Sequence, residues 1–219
     1  MLRDARLPTR RRGAYRMHMV AAAKVWTVEE VLALPWDGRR IELIDGALIV
    51  NGVEVPDGIL EQLEPEMTPA PAWSHQHVLR ALIELLLEYT KRSGVGIVMF
   101  APADVPLAGE QVVQPDLFVV PRTGEHLPDD FRDAGRMLLA VEIVSPSTAR
   151  MDRTRKRALY QSAGVPDYWV VDVESRRIER WRLDSDIGHI FTVEMEWAPP
   201  GASELLRVDI PALFKGLRD

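Results

Sequence analysis

Two carboxylates stand where carboxylates are costly. VVQPDLFVV (112–120) carries Asp116 and MLLAVEIV (137–144) carries Glu142, each inside an otherwise apolar, strand-like run. Burying an ionised carboxylate costs several kcal/mol unless a metal ion or a buried Arg or Lys compensates. Pro115 precedes Asp116 and interrupts ladder pairing there. If the two runs are neighbouring strands, the acids can converge on one divalent ion, and oxygen ligands select magnesium or manganese over zinc. The plainer alternative is that both are ordinary acids at strand ends.

The segment after Glu142 adds a cation. Asp152, Lys156 and Tyr160 recur at i, i+4 and i+8, so a helix would place them on one face. A short SPS turn (145–147) would bring that face over the strand end, where Lys156 could orient a water or stabilise charge on a phosphate. Lys156 also lies among Arg150, Arg153, Arg155 and Arg157, and such a run is usually a solvated face. The arginines could instead contact phosphates.

The elements that must position these groups follow from the pattern. WTVEEVLAL (26–34) predicts a short helix capped by Thr27, with Glu29 and Glu30 in its first turn. RIELIDGALIV (40–50) predicts a hairpin turning at Asp45-Gly46. Residues 51–72 are rich in Pro and Glu and read as a loop insertion. Val78, Leu79, Leu82, Ile83, Leu85, Leu86 and Tyr89 have helical spacing, and Gly94 ends that helix. Strands are expected at 96–102, 103–107, 112–120 and 137–144. A helix follows from near Ser147, its N-cap, to Gly164, then strands at 167–173, 177–183, 189–197 and 204–210, and a closing helical turn at 211–214. That order predicts a mixed α+β layer, a central mixed sheet flanked by helices.

Composition narrows the function. The chain has 219 residues, 47% hydrophobic, enough for one sizeable core. Without cysteine there is no disulfide, thiolate zinc site or thiol nucleophile, and a cytoplasmic setting is expected. No apolar run approaches the ~20 residues that span a bilayer, so no membrane partner is expected. Net charge is −6, yet residues 1–18 hold six Arg and one acid, leaving 21 basic and 32 acidic residues in the body. Nucleic-acid contact must therefore come from a local basic patch. Residues 1–18 read as a basic extension, either a tail that touches an anionic partner or a stretch upstream of a start at Met17 or Met19. Residues 19–219 read as a single domain.

At this point the sequence resembles the Uma-two family of restriction-endonuclease-like proteins within the PD-(D/E)XK nuclease superfamily. The resemblance rests on IELIDGALIV (41–50), the helix carrying His75, APADVPL (101–107), VQPDLFVV (113–120), the long segment VEIVSPST through RRIERWRL (141–183) and a C-terminal strand pair. It implies a restriction-endonuclease-like fold and a magnesium-dependent endonuclease, manganese being an alternative, that hydrolyses DNA with a metal-activated water. It assigns Asp116 to the PD motif, Glu142 to the (D/E)XK acid, the Ile143 carbonyl to the metal, and Glu42 to the completed site. The lysine position two after Glu142 is Val144, so Lys156 on the next helix is the carried-over lysine. No organic cofactor is implied. Small nucleases of this fold often pair, so a homodimer is expected.

Other readings stand beside these. Glu42 could pair with Arg39 or Arg40 across the hairpin. His75 and His77 have no third clustered ligand for zinc. Trp169 and Trp181 read as core or interface aromatics, and Asp167 and Asp172 as turn and strand residues. The functional alternative is a catalytically weak nucleic-acid-binding or regulatory module that keeps the nuclease fold.

Overall fold

Thr27 opens the first helix as expected. Its hydroxyl accepts from the Glu30 N–H, and the Glu30 carboxylate accepts from the Thr27 N–H, a reciprocal capping box. That helix, α1 (Val28–Leu32), turns Val28 and Val31 inward. The computed structural model describes residues 24–56, 59–60, 72–122, 124, 127–132, 136–145 and 148–218. The basic extension, most of the 51–72 insertion and the expected Ser147 cap lie outside the described residues.

The hairpin forms from β1 (Ile41–Ile44) and β2 (Ala47–Val50), paired Ile41↔Val50 through Ile44↔Ala47. Asp45 and Gly46 both take positive φ, 53° and 76°, the requirement of a tight primed turn. A short β3 (Val53–Glu54) extends the sheet within the expected insertion. Helix α2 (Trp73–Ser93) then buries Val78, Leu79, Leu82, Leu86 and Tyr89, and ends at left-handed Gly94. The other strands before the next helical segment are β4 (Gly96–Phe100), β5 (Val105–Leu107), β6 (Gln111–Val113), β7 (Leu117–Pro121) and β8 (Leu139–Val144).

The helical segment is not uniform. A turn of α3 (Ala149–Met151) runs into a π-helical stretch, Asp152–Lys156, and resumes as α4 (Arg157–Ser162). After it come β9 (Asp167–Asp172), β10 (Arg177–Arg182), β11 (His189–Phe191), β12 (Glu194–Trp197), β13 (Leu206–Asp209) and α5 (Ile210–Leu213). Two expected single strands are thus divided. The run at 189–197 breaks into β11 and β12 in different sheets, and the run at 112–120 breaks at Gln114 to Asp116. Pro115 has no N–H for a ladder, so the chain leaves one sheet there and enters the other.

Among the described residues the strands form a five-stranded antiparallel sheet, β3-β2-β1-β6-β5, a six-stranded mixed sheet, β11-β10-β9-β8-β7-β4, and the β12-β13 pair. The single central sheet expected from sequence is therefore accompanied by a second large one. In the six-stranded sheet β8 runs parallel to β9 and antiparallel to β7.

Alternation along the central strands separates two cores. Leu117, Val119, Leu139, Val141 and Ile143 pack with α2, Trp169 and Trp197. Phe118, Val120, Ala140 and Val144 pack with Leu159, Tyr160 and Tyr168 from the other side, together with Ile44 and Ile49 of the hairpin. Asp116 and Glu142 have the parity of this second face, as Glu42 does with Ile44. The three acids are thus sent into one interior, between the two large sheets and the helical segment.

Candidate active site

β7 and β8 place the first two acids. Their last pair is Leu117↔Val141, and one residue further in the same register stand Asp116 and Glu142. Asp116 is 6% exposed and Glu142 1% exposed. Asp116 Oδ2 accepts from the Ile143 N–H at 2.7 Å, so this acid is oriented by the backbone beside its partner. Glu42 enters from β1, also 1% exposed, and its Oε1 accepts the Gln114 N–H at 2.9 Å. That amide lies at the break between β6 and β7. The interruption therefore supplies a free donor as well as redirecting the chain.

Lys156 arrives from the π-helical stretch and is buried. Its Nζ lies 2.9 Å from Glu42 Oε1, 3.0 Å from Glu142 Oε1 and 3.6 Å from Asp152 Oδ1. Tyr160, one turn on, donates its hydroxyl to Glu142 Oε1 at 3.0 Å, and Tyr168 donates to the Asp152 carbonyl at 3.0 Å. The face shared by Asp152, Lys156 and Tyr160 is real, although the local winding is wider than an α-helix. π-helical turns occur frequently at functional sites because they redirect side chains locally. Arg155 pins the stretch to the hairpin through Glu54 at 2.7 Å and the Ile44 carbonyl at 2.9 Å.

Arg40 completes the cluster. Its guanidinium reaches Asp116 Oδ1 at 3.1 Å, Glu142 Oε2 at 2.8 Å and Glu42 Oε1 at 3.6 Å, and also donates to the Gln114 carbonyl. The sequence offers Arg40 as a possible partner of Glu42 across the hairpin; in the fold it contacts all three acids. Arg39 goes to Asp37 instead. No local pattern in the tandem arginines distinguishes the two, since the choice depends on which one faces the interior. Asp152, Tyr160 and Gln114 are likewise site neighbours, and the first two were marked by their shared helical face.

Burial governs the electrostatics. It pushes the Glu142 carboxyl up to about 7, against the opposing pull of Lys156 and Arg40. Burial also raises Asp152. For Glu42 burial acts upward too, but Lys156, Arg40 and the Gln114 N–H outweigh it and hold that acid below its usual value. For Lys156 burial and Arg40 oppose the charge, and Glu142, Glu42 and Asp152 overcome them, so the ammonium is held charged.

The other expected site residues lie as follows. Ile143 is adjacent, its N–H on Asp116. Arg153 is bound to Glu179 at 2.8 Å and Asp172 at 2.7 Å, a tie from the helical segment to β9 and β10. Arg157 stacks on the Trp181 ring at 4.7 Å and donates to Gln161. Arg150 is exposed. His75, near the start of α2, sits at the rim with Nε2 3.9 Å from Asp116 Oδ1. Trp169 is fully buried in the α2-side core. Asp167 is paired with Arg180 and the Trp197 indole N–H.

The donor chemistry suits a hard divalent cation. Asp116 Oδ1 and Glu142 Oε2 already converge on one shared cation, the Arg40 guanidinium. Magnesium characteristically takes one or two carboxylates and completes its shell with water and phosphate. Among the described residues, no group of three or more His, Asp or Glu is arranged to hold a metal, so what the cluster offers a cation is the Asp116–Glu142 pair.

Comparison with known proteins agrees with this architecture. Residues 53–209, well over half of the chain, match the sequence profile named Uma2 and described as "Putative restriction endonuclease". The match begins after the hairpin that carries Arg40 and Glu42. No curated protein matches the chain. A crystal structure titled as a putative nuclease belonging to DUF820, from Anabaena variabilis, shares the fold with a TM-score of 0.66 over 86% of this chain and 97% of that one, at 18% identity.

Proposed function

This chain belongs to the Uma2 family, and we propose that it is a metal-dependent endonuclease that hydrolyses DNA phosphodiester bonds. The observation that carries the reading is the convergence of Glu42, Asp116, Glu142 and Lys156, from β1, the start of β7, β8 and the π-helical turn, into one buried cluster whose exposed edge is Arg40. Buried acids with one buried lysine make poor packing. They make a workable site for a divalent ion and a phosphate.

Asp116 and Glu142, with the Ile143 carbonyl, would hold magnesium or manganese. Such an ion supplies Lewis-acid polarisation of a phosphoryl oxygen and acidifies a water. The chain's own residues orient and balance it. The Ile143 N–H fixes Asp116, and Tyr160 and Lys156 fix Glu142. Lys156 keeps a positive charge beside the acids and positions the attacking water or the scissile phosphate. Glu42 sets the position of Lys156. Arg150, exposed on the same helical segment, is the freest of its arginines to meet a phosphate, whereas Arg153 and Arg157 each have partners within the fold. Cutting both strands of a duplex would take two such sites, which is the reason to expect a homodimer.

The weak-binding alternative has one observation in its favour: the acids are already matched by Arg40 and Lys156. Cleavage of supercoiled plasmid, and of single- and double-stranded DNA and RNA oligonucleotides, decides between them. Wild type would be compared with Asp116→Ala, Glu142→Ala and Lys156→Ala in magnesium, manganese or EDTA. Metal-dependent cutting lost in all three variants supports the nuclease. No cutting of any substrate by wild type, with no response to magnesium at Asp116 and Glu142, supports the module.

A further inference from the structure

We infer that Arg40 is a resident counter-ion that occupies the divalent-metal position and is exchanged for the metal. The inference rests on the nuclease reading, and it concerns this chain's own arginine. Its ground is the commitment of individual oxygens. Asp116 Oδ2 accepts the Ile143 N–H. Glu142 Oε1 accepts from Lys156 and Tyr160. The two remaining oxygens, Asp116 Oδ1 and Glu142 Oε2, are both held by Arg40, at 3.1 and 2.8 Å. A cation held by both residues would compete with Arg40 for these two oxygens, since Glu142 Oε1 already accepts two donors and Asp116 Oδ2 one.

Three further features fit an exchangeable arginine better than a fixed one. Its Nε is buried without a hydrogen-bond partner, so the five-donor fork is not fully used. Its side chain is 28% exposed while the acids are nearly sealed, so it can leave toward solvent without opening the core. Its backbone is fixed: the Arg40 N–H donates to Asn51 Oδ1 at 2.9 Å and the Asn51 N–H donates to the Arg40 carbonyl at 2.8 Å. The guanidinium therefore moves about an anchored Cα. Charge favours the exchange. With its carboxyls ionised, the cluster sets Glu42, Asp116, Glu142 and Asp152 against Arg40 and Lys156, and replacing a single charge by a double one brings that form nearer neutrality.

Manganese binding measured by calorimetry on wild type, Arg40→Gln and Arg40→Lys, each checked for fold by circular dichroism, tests this. Loss of a competing charge-assisted pair should tighten manganese binding in R40Q by about ten- to a hundredfold, with R40K between the two. In parallel, the side-chain N–H signals of Arg40 in wild type, assigned by comparison with R40K, should lose hydrogen-exchange protection when magnesium is added. That second measurement stands even if R40Q fails to fold. Manganese bound no more tightly by R40Q, or Arg40 signals unchanged at saturating magnesium, overturns the exchange and leaves the metal site standing. Absence of metal binding in wild type and R40Q alike overturns the exchange together with the nuclease reading beneath it.

Discussion

Lys156 Nζ stands 3.0 Å from Glu142 Oε1, although the two residues are fourteen apart in sequence and belong to a helical turn and a strand. The contact is sealed from solvent and shared with Glu42, so the lysine serves two acids at once. A buried pair of this kind is strongly destabilising to break, because negative charge is left under-compensated in the interior.

Lys156→Met should therefore lower unfolding stability by about 3–5 kcal/mol and abolish cleavage. Urea denaturation and plasmid nicking read the two effects. Lys156→Arg should not restore cutting, since a planar fork cannot replace a compact ammonium between Glu42 and Glu142. Full activity in Lys156→Arg would remove the lysine from the mechanism.

Glu142 predicts a pH dependence. Its folded value is about 7 against an ordinary 4.5. In the absence of metal the folded chain keeps this proton over that interval and the unfolded chain does not. The stabilisation is fully present below pH 4.5 and is lost as pH rises through about 7, an effect of order 3 kcal/mol. Acids with lowered values, such as Asp37 and Asp172, act in the opposite direction but below that window. Melting temperature in EDTA should fall from pH 4.5 to 7.5, and the fall should be much reduced in Glu142→Gln. A flat wild-type profile would contradict the assignment.

Tyr160 is a positioning residue, acting through Glu142. Tyr160→Phe should cost about 1–2 kcal/mol of stability, leaving an acceptor one donor short. Without that donor the Glu142 carboxylate is less stabilised, so the optimum for metal-dependent cutting should move to higher pH with KM little changed. An unshifted pH profile would reduce Tyr160 to packing.

Arg153 separates a structural arginine from a nucleic-acid contact. Its bonds to Glu179 and Asp172 join the helical segment to β9 and β10. Arg153→Ala should lower stability by about 2 kcal/mol, with DNA affinity and its salt dependence unchanged. Arg150→Ala should leave stability within about 0.5 kcal/mol and weaken DNA binding. The reverse pattern would exchange the two roles.

The sequence alone determined the locally encoded features. The capping box at Thr27 and Glu30, the Asp45-Gly46 turn, the α2 stripe and the polar interruptions at Asp116 and Glu142 all follow from spacing along the chain. Two acids inside apolar, strand-like runs marked a candidate, with ordinary strand-end acids as the open alternative. Tertiary structure decided what those acids meet. Pro115 reads as an interruption, but only the pairing of β6 with β1 and of β7 with β8 reveals that the chain changes sheets there and frees the Gln114 N–H for Glu42. Lys156 lies in a run of charges that reads as solvated; docking of Arg155 on the hairpin and the π-helical winding turn it inward. Arg40 and Arg39 look equivalent in sequence, and strand register alone sends the first to the acids and the second to Asp37. Short-range propensity acts within a few residues, whereas the counter-charge of a buried acid is selected by contacts as distant as the 102 residues between Arg40 and Glu142.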